Sequence, residues 1–332
     1  MAEQAGRNWL LRIVPPIRGG RWIAAFTIAT VLLGTYWAIG MFEPNARGRT
    51  APSALAFFAA ILAYIIPIYH FINERTERAF AELAGDLDAT SDQIQAWANS
   101  IAHKPLKWHL EILGWSTVAW VAHAVLLYES PAGVIRGVTS QIEDVVMVAS
   151  TALVWMVMTS AIFALVHNAR LFNRLAKLVS VDLLHTETLT PFGRVAVIST
   201  LALIGAQAAF PLLWLDGDDP INSLPGIVAT AAPMVFLFLL PVWPVHRAIA
   251  TAKAAELARI SHLIKAFGAT PPETTDGFER LNPLLVYRRE IVQVREWPFN
   301  TGIMTRLGFY LIIPPITWVG AALIENIVDA FL

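Results

Sequence analysis

The chain has 332 residues, 56 % of them hydrophobic and 15 % charged, with a net charge of −1 and a mean hydropathy of +0.55. A soluble domain carries roughly a quarter charged residues, so this composition excludes a water-soluble globular enzyme and points to an integral membrane protein. With no cysteine, disulfides, thiolate metal sites and cysteine nucleophiles are excluded as well.

A membrane-spanning helix needs ~20 mostly apolar residues. The first such stretch, 21–42, is too long for a signal-peptide core and has no small-residue cleavage site before Glu43, so it reads as retained. The connection "EPNARGRT" leads to a second stretch, 51–72, which contains Pro67 and ends near His70. Beyond it, "NERTERAFAELAGDLDATSDQIQAWANSIAHK" reads as a continuing helix, a break at Gly85 and a second helix whose Thr90 and Gln93 have capping-box spacing. The third stretch, 108–128, carries His123, and the fourth, 145–167, ends at His167. Helical spacing continues after it through Leu171, Leu175 and Leu178.

The fifth stretch, 192–215, opens at "TPFGR", with Thr190 as the predicted N-cap and Pro191 at the first helical position. Pro211 lies near its end. "DGDDPINSLP" then leads to the sixth, 225–246, which holds Pro233, Pro241 and Pro244 and runs on through "VHRAIATAKAAELARISHLIKAF". After "GATPPETTDG", an amphipathic helix over 282–297 places Leu285, Tyr287, Ile291 and Val294 near one face and is ended by Pro298. The seventh stretch, 307–328, contains Pro314 and Pro315. Twenty-one of the 24 Lys and Arg residues fall in the amino-terminal tail and the connections after the second, fourth and sixth stretches, counting Arg21 and Arg194 at the adjoining ends of the first and fifth. Only Arg47, Arg49 and Arg136 lie in the others, so the positive-inside rule predicts a cytoplasmic amino terminus and an external carboxyl terminus.

The fold class expected is therefore an all-α membrane protein: a single seven-helix domain over 1–332, with helical cytoplasmic connections at 73–107, 168–190 and 247–306. "VHNA" at Val166–Ala169 and "VHRA" at Val245–Ala248 resemble one another, but four residues do not establish a repeat.

His70, His167 and His246 lie at the same end of three stretches that run in the same direction, so three neighbouring helices would place them to bind zinc. Amphipathic side chains at an interface account for them without a metal. His123 is either a buried ionisable group on a pathway or a partner in an interhelical hydrogen bond. "DGDD" at Asp216–Asp219 offers clustered oxygens but lacks the alternation and distal glutamate of a calcium loop. No HExxH, GxSxG, P-loop or Rossmann glycine pattern is present, and "HTET" at His185–Thr188 has no identifiable partner. These readings imply no enzyme and no cofactor. The partners implied are lipid and further copies of the chain, with an unidentified small ligand, and no nucleic acid.

Seven stretches with the amino terminus inside, followed by long cytoplasmic helices at 168–180, 247–267 and 282–297, resemble the insect odorant and gustatory receptors. The closing segment is similar to that family's seventh span at Tyr310 and departs from it at Phe309, Ile316 and Thr317. The segment from "REWPFN" onward also resembles uncharacterised bacterial membrane proteins. The receptor resemblance implies a tetrameric cation channel with the last helix nearest the axis.

Glu325 and Asp329 stand four residues apart and share a helix face with Ala321, Ala322 and Trp318. Repeated around an axis they would ring an outer mouth with carboxylates. Water, with Arg47, Arg49 or Arg136 as partner, would equally satisfy them. Pro314, Pro315, Pro241 and Pro244 are the candidate kinks of a gate. The alternative expectation is a small-molecule transporter or a membrane sensor that conducts nothing. The membrane would be a plasma membrane or a bacterial inner membrane.

Overall fold

The structure, a computed structural model, describes residues 6–7, 9–42, 52–127, 142–214, 224–267, 275–299 and 301–312, together with positions 316, 319, 320 and 323. The described residues form α1 (Trp9–Ile13), α2 (Gly20–Ala38), α3 (Pro52–Leu83), α4 (Ser91–Ala102) and α5 (Leu106–Leu127). They continue with α6 (Ile142–Leu175), α7 (Thr190–Gln207), α8 (Leu224–Lys265), α9 (Thr275–Gln293) and α10 (Thr301–Leu311). A two-residue antiparallel pairing of Gly6–Arg7 with His103–Lys104 is the only strand pair among them. Helix is the expected answer for long runs of Ala, Leu, Ile and Val, because it satisfies the backbone within each segment.

Four of the helices, with their flanking turns, are long and apolar enough to cross a membrane: Pro52–Asp86, Ile142–Leu175, Thr186–Leu213 and Leu224–Lys265. Successive long helices run in opposite directions. Arg21 at the start of α2 reaches Glu74 late in α3, and Tyr36 late in α2 reaches Ser150 early in α6. Trp155 of α6 meets His123 late in α5, whereas His167 meets Ser100 ahead of it. Phe172 late in α6 meets Phe192 early in α7, and Gln207 at the end of α7 meets Thr230 early in α8.

The bundle therefore has two ends. One, which we term the cavity end, gathers Ala54, Phe57, His123, Met147, Ala206 and Gly226. The other, the stalk end, packs Phe80, Leu83, Phe172, Leu175, Phe192, Val245 and Ile249 into a single apolar cluster beneath α4. The outer faces of α2 and α5 are apolar as well. Trp22, Phe26 and Trp37 of α2 and Leu110, Trp115 and Val118 of α5 are exposed, surfaces suited to lipid contact.

Several predicted elements appear as expected. α3 continues past the apolar run, and a 3-10 turn at Ala84–Asp86 breaks it where Gly85 stands. The Thr90–Gln93 capping box forms, with bonds of 3.0 and 3.4 Å. α8 carries Pro233, Pro241 and Pro244 without breaking.

Three details differ. The N-cap of α7 is Leu189 rather than Thr190, because a 3-10 turn at Thr186–Leu189 feeds straight into the helix. α6 itself stops at Leu175 instead of continuing to residue 180. There the Leu178 carbonyl accepts from the Asp88 amide at 2.9 Å, which ties the chain to the turn after α3. α9 starts earlier than predicted, at Thr275, and ends at Gln293, so Pro298 lies in a non-helical segment beyond it. One residue of its inward face also differs: Ile291 is fully buried and Tyr287 and Val294 are half-buried as predicted, but Leu285 is 47 % exposed and the half-buried residue in its place is Leu284.

Candidate functional site

At the cavity end, α3, α5, α6, α7 and α8 surround a cavity of about 240 Å3. The aromatic side of its wall is Phe57, Phe58 and Phe210, with Phe57 and Phe210 ring centroids 5.2 Å apart. Phe210 lies directly against the α8 backbone: a Cβ on Gly226 would fall 2.7 Å from the ring. Only glycine at that position allows so close an approach.

The polar groups in the wall are tied back to protein. Thr151 Oγ1 donates to the Met147 carbonyl at 3.0 Å. Thr230 Oγ1 donates to the Gly226 and Ile227 carbonyls at 3.1 and 3.0 Å, and accepts from Gln207 Nε2 at 3.4 Å. Trp155 Nε1 donates to His123 Nδ1 at 2.9 Å. Because Nδ1 accepts, a neutral imidazole carries its proton on Nε2. The bond between α5 and α6 matches the interhelical hydrogen bond that was one of the two readings of His123. What remains facing the cavity is mainly apolar, with one imidazole.

The three histidines of the sequence analysis are not brought together. His167 Nε2 lies 3.5 Å from Ser100 Oγ, toward α4. His246 Nδ1 bonds the Glu296 carbonyl at 3.1 Å and stacks on Trp297 with centroids 4.1 Å apart. Among the described residues no group of three or more His, Asp or Glu is placed to hold a metal ion. His246 instead anchors the segment after α9. Lys253 Nζ donates to the Val294 carbonyl at 2.9 Å and pairs with Glu296 at 3.3 Å. Phe299 stacks on Phe238 with centroids 5.5 Å apart, and Gly193 leaves room for it, since a Cβ there would fall 2.3 Å from the Pro298 carbonyl oxygen.

Of the candidate kinks, Pro241 and Pro244 lie inside α8. Proline at 244 cannot donate to the carbonyl four residues earlier. That carbonyl, Leu240, accepts from Asn173 Nδ2 of α6 at 2.7 Å. The freed group is thus satisfied by protein, as a bundle interior requires. Pro314, Pro315, Trp318, Ala321, Ala322, Glu325 and Asp329, and the Asp216–Asp219 cluster, lie outside the described residues. "HTET" resolves into a surface pair: Asp182 Oδ2 and His185 Nδ1 are 2.9 Å apart. The pair's hydrogen bond raises the imidazole pKa and lowers that of the carboxylate.

No family model, curated protein or solved structure matches the chain. The functional reading rests on its own geometry.

Sequence reasoning missed the cavity and the Asn173–Leu240 bond. The cavity has no linear signal, because its lining comes from five helices. The bond had one: a mid-helix proline leaves a carbonyl that needs a donor on a neighbouring helix.

Proposed function

We propose that the chain is a seven-span membrane protein with its amino terminus in the cytoplasm, acting as a receptor or sensor for a small, mostly apolar molecule held at the cavity end. The cavity is the observation that carries this reading. An apolar void of about 240 Å3 sacrifices packing that a tight core would keep, at roughly 24 cal/mol per Å3. An occupant offsets that cost. The volume falls below the roughly 300–1,000 Å3 of drug-sized pockets, so the occupant is correspondingly small. His123 gives the wall one polar feature by which it could be oriented. The alternating helix directions and the exposed tryptophans of α2 and α5 support counting those two among the spans. The distribution of Lys and Arg supports the orientation.

A panel of small apolar alcohols and ketones, added to the full chain in lipid discs, tests the reading through the melting temperature. At least one should raise it, and Ala206→Leu, which fills the cavity, should abolish the rise. A panel with no effect on the wild type, or an undiminished rise in the variant, rejects the site.

A second reading has its own support in α8. Only 22 % of its most apolar window is buried, against 50–67 % in the other three long helices. Val228, Val235, Phe236, Leu239 and Trp243 are exposed along it. Another copy of the chain over this surface would give the homo-oligomeric cation channel expected from the sequence, with the last helix nearest the axis and Glu325 and Asp329 at its mouth. Four-fold particles whose cation flux falls in Glu325→Gln/Asp329→Asn support it. Monomers without flux dismiss it.

A further inference from the structure

A second concavity, of about 360 Å3, runs between α2 and α3 on the surface of the bundle. Ala25, Ala63 and Ile68 form part of its wall, with Trp22, Phe71 and Arg21 around it. Larger residues in place of the two alanines would narrow it. Trp22 is 81 % exposed, the position of an indole at a membrane–water boundary. The boundary is visible in α3 itself, where the apolar run ends at Ile72 and "NERTER" follows.

Charge concentrates at this boundary. The guanidinium of Arg21 lies 5.1 Å and that of Arg75 5.2 Å from the centroid of the Phe71 ring, so one aromatic side chain holds two cations. Glu74 is shared, 3.7 Å from Arg21 and also paired with Arg78. Arg75 makes no ion pair among the described residues. The contacts here gather three arginines (Arg21, Arg75 and Arg78) and one glutamate (Glu74), which leaves two positive charges in excess. An apolar groove that ends in an excess of guanidinium charge complements a molecule with a hydrocarbon chain and an anionic head.

We propose that this groove binds one acidic phospholipid, its acyl chain along Ala25, Ala63 and Ile68 and its phosphate between Arg21 and Arg75. The proposal rests on α2 and α3 lying in a bilayer and is independent of what the cavity holds. A zwitterionic lipid would bring its own cation against the arginines and bind less well.

Native mass spectrometry of the full chain from lipid discs of equimolar phosphatidylglycerol and phosphatidylcholine tests it. The wild type should retain one phosphatidylglycerol in preference. Arg21→Gln/Arg75→Gln should lower that preference by roughly ten- to thirtyfold, while Arg259→Gln, whose arginine pairs with Glu256 on α8, should leave it unchanged. Ala63→Leu, which fills the groove and keeps every arginine, should also release the lipid. Retention unchanged in the double variant or in Ala63→Leu overturns the proposal. Displacement of the lipid by millimolar inorganic phosphate would show a simple anion site and overturn it too. A wild-type chain that does not enter the discs would remove the bilayer reading itself, a failure distinct from the loss of lipid preference.

Discussion

The two ends of the bundle are built from the same kinds of residue and finish differently. At the stalk end Phe172 and Phe192 meet edge to face with centroids 5.7 Å apart, and both are fully buried. At the cavity end Phe57, Phe58, Phe210 and Trp155 line open space instead. Two features keep that space open. The Trp155–His123 bond holds two large rings at fixed positions, with centroids 5.7 Å apart. Gly226 lets Phe210 settle against the backbone of α8 rather than swing inward. Rings held by directional contacts cannot repack to fill a gap, whereas rings held by packing alone close it.

Equal truncations at the two ends are the strongest challenge to this contrast. Phe172→Ala should destabilise by about 3–5 kcal/mol, because it opens a void in a closed cluster. Phe57→Ala removes a ring that already has open space on one side and so has fewer contacts to lose. Its cost should be nearer 2–3 kcal/mol. Unfolding in graded detergent mixtures gives both values. Costs that match would mean the cavity end is packed as tightly as the stalk end.

The polar side of the contrast lies between α6 and α8. Asn173→Leu would leave the Leu240 carbonyl without its donor, at a cost of about 1–3 kcal/mol. Pro244→Ala supplies a backbone N–H four residues on, so the helix can satisfy Leu240 by itself. In that background Asn173→Leu should cost under about 0.5 kcal/mol. If the cost is the same in both backgrounds, the asparagine stabilises through something other than the proline's missing donor.

Much of this architecture was legible in the sequence, and the physics of each feature explains which parts were. The capping box at Thr90 and Gln93 and the run of α8 through three prolines are local, set by residues within one or two turns. On the inward face of α9, Tyr287, Ile291 and Val294 were predicted correctly and Leu285 was not, since Leu284 and Leu285 are chemically alike and only the neighbouring helix decides between them. The candidate site was less legible. His123 could be picked out as an ionisable group in an apolar stretch, but its partner Trp155 is 32 residues away on another helix. Spacing within one segment cannot reveal a void that depends on five.

The last effect is pH-dependent and belongs to Lys104, which closes the stalk end. It is 2 % exposed, its Nζ donates to the Ser100 carbonyl, and it lies 5.6 Å from the centroid of the Trp108 ring. Burial penalises the ammonium and lowers its pKa from 10.5 to about 7. The unfolded chain keeps this proton up to about pH 10.5, while the folded chain releases it near pH 7. Across that window the unfolded state binds more protons, so this group makes stability rise with pH, and its full penalty is felt below pH 7. Lys104→Met keeps a flexible apolar side chain of similar reach and removes the ionisable group. The variant should melt above the wild type at pH 7, and the gap should close as the pH approaches 10. Lys104→Arg cannot shed its proton in this range and should melt below the wild type throughout. A gap between wild type and Lys104→Met that stays constant from pH 7 to 10 would mean that Lys104 remains charged in the folded protein. The Ser100 carbonyl and the Trp108 ring would then compensate the ammonium fully, and the stalk end would tolerate a buried cation without cost.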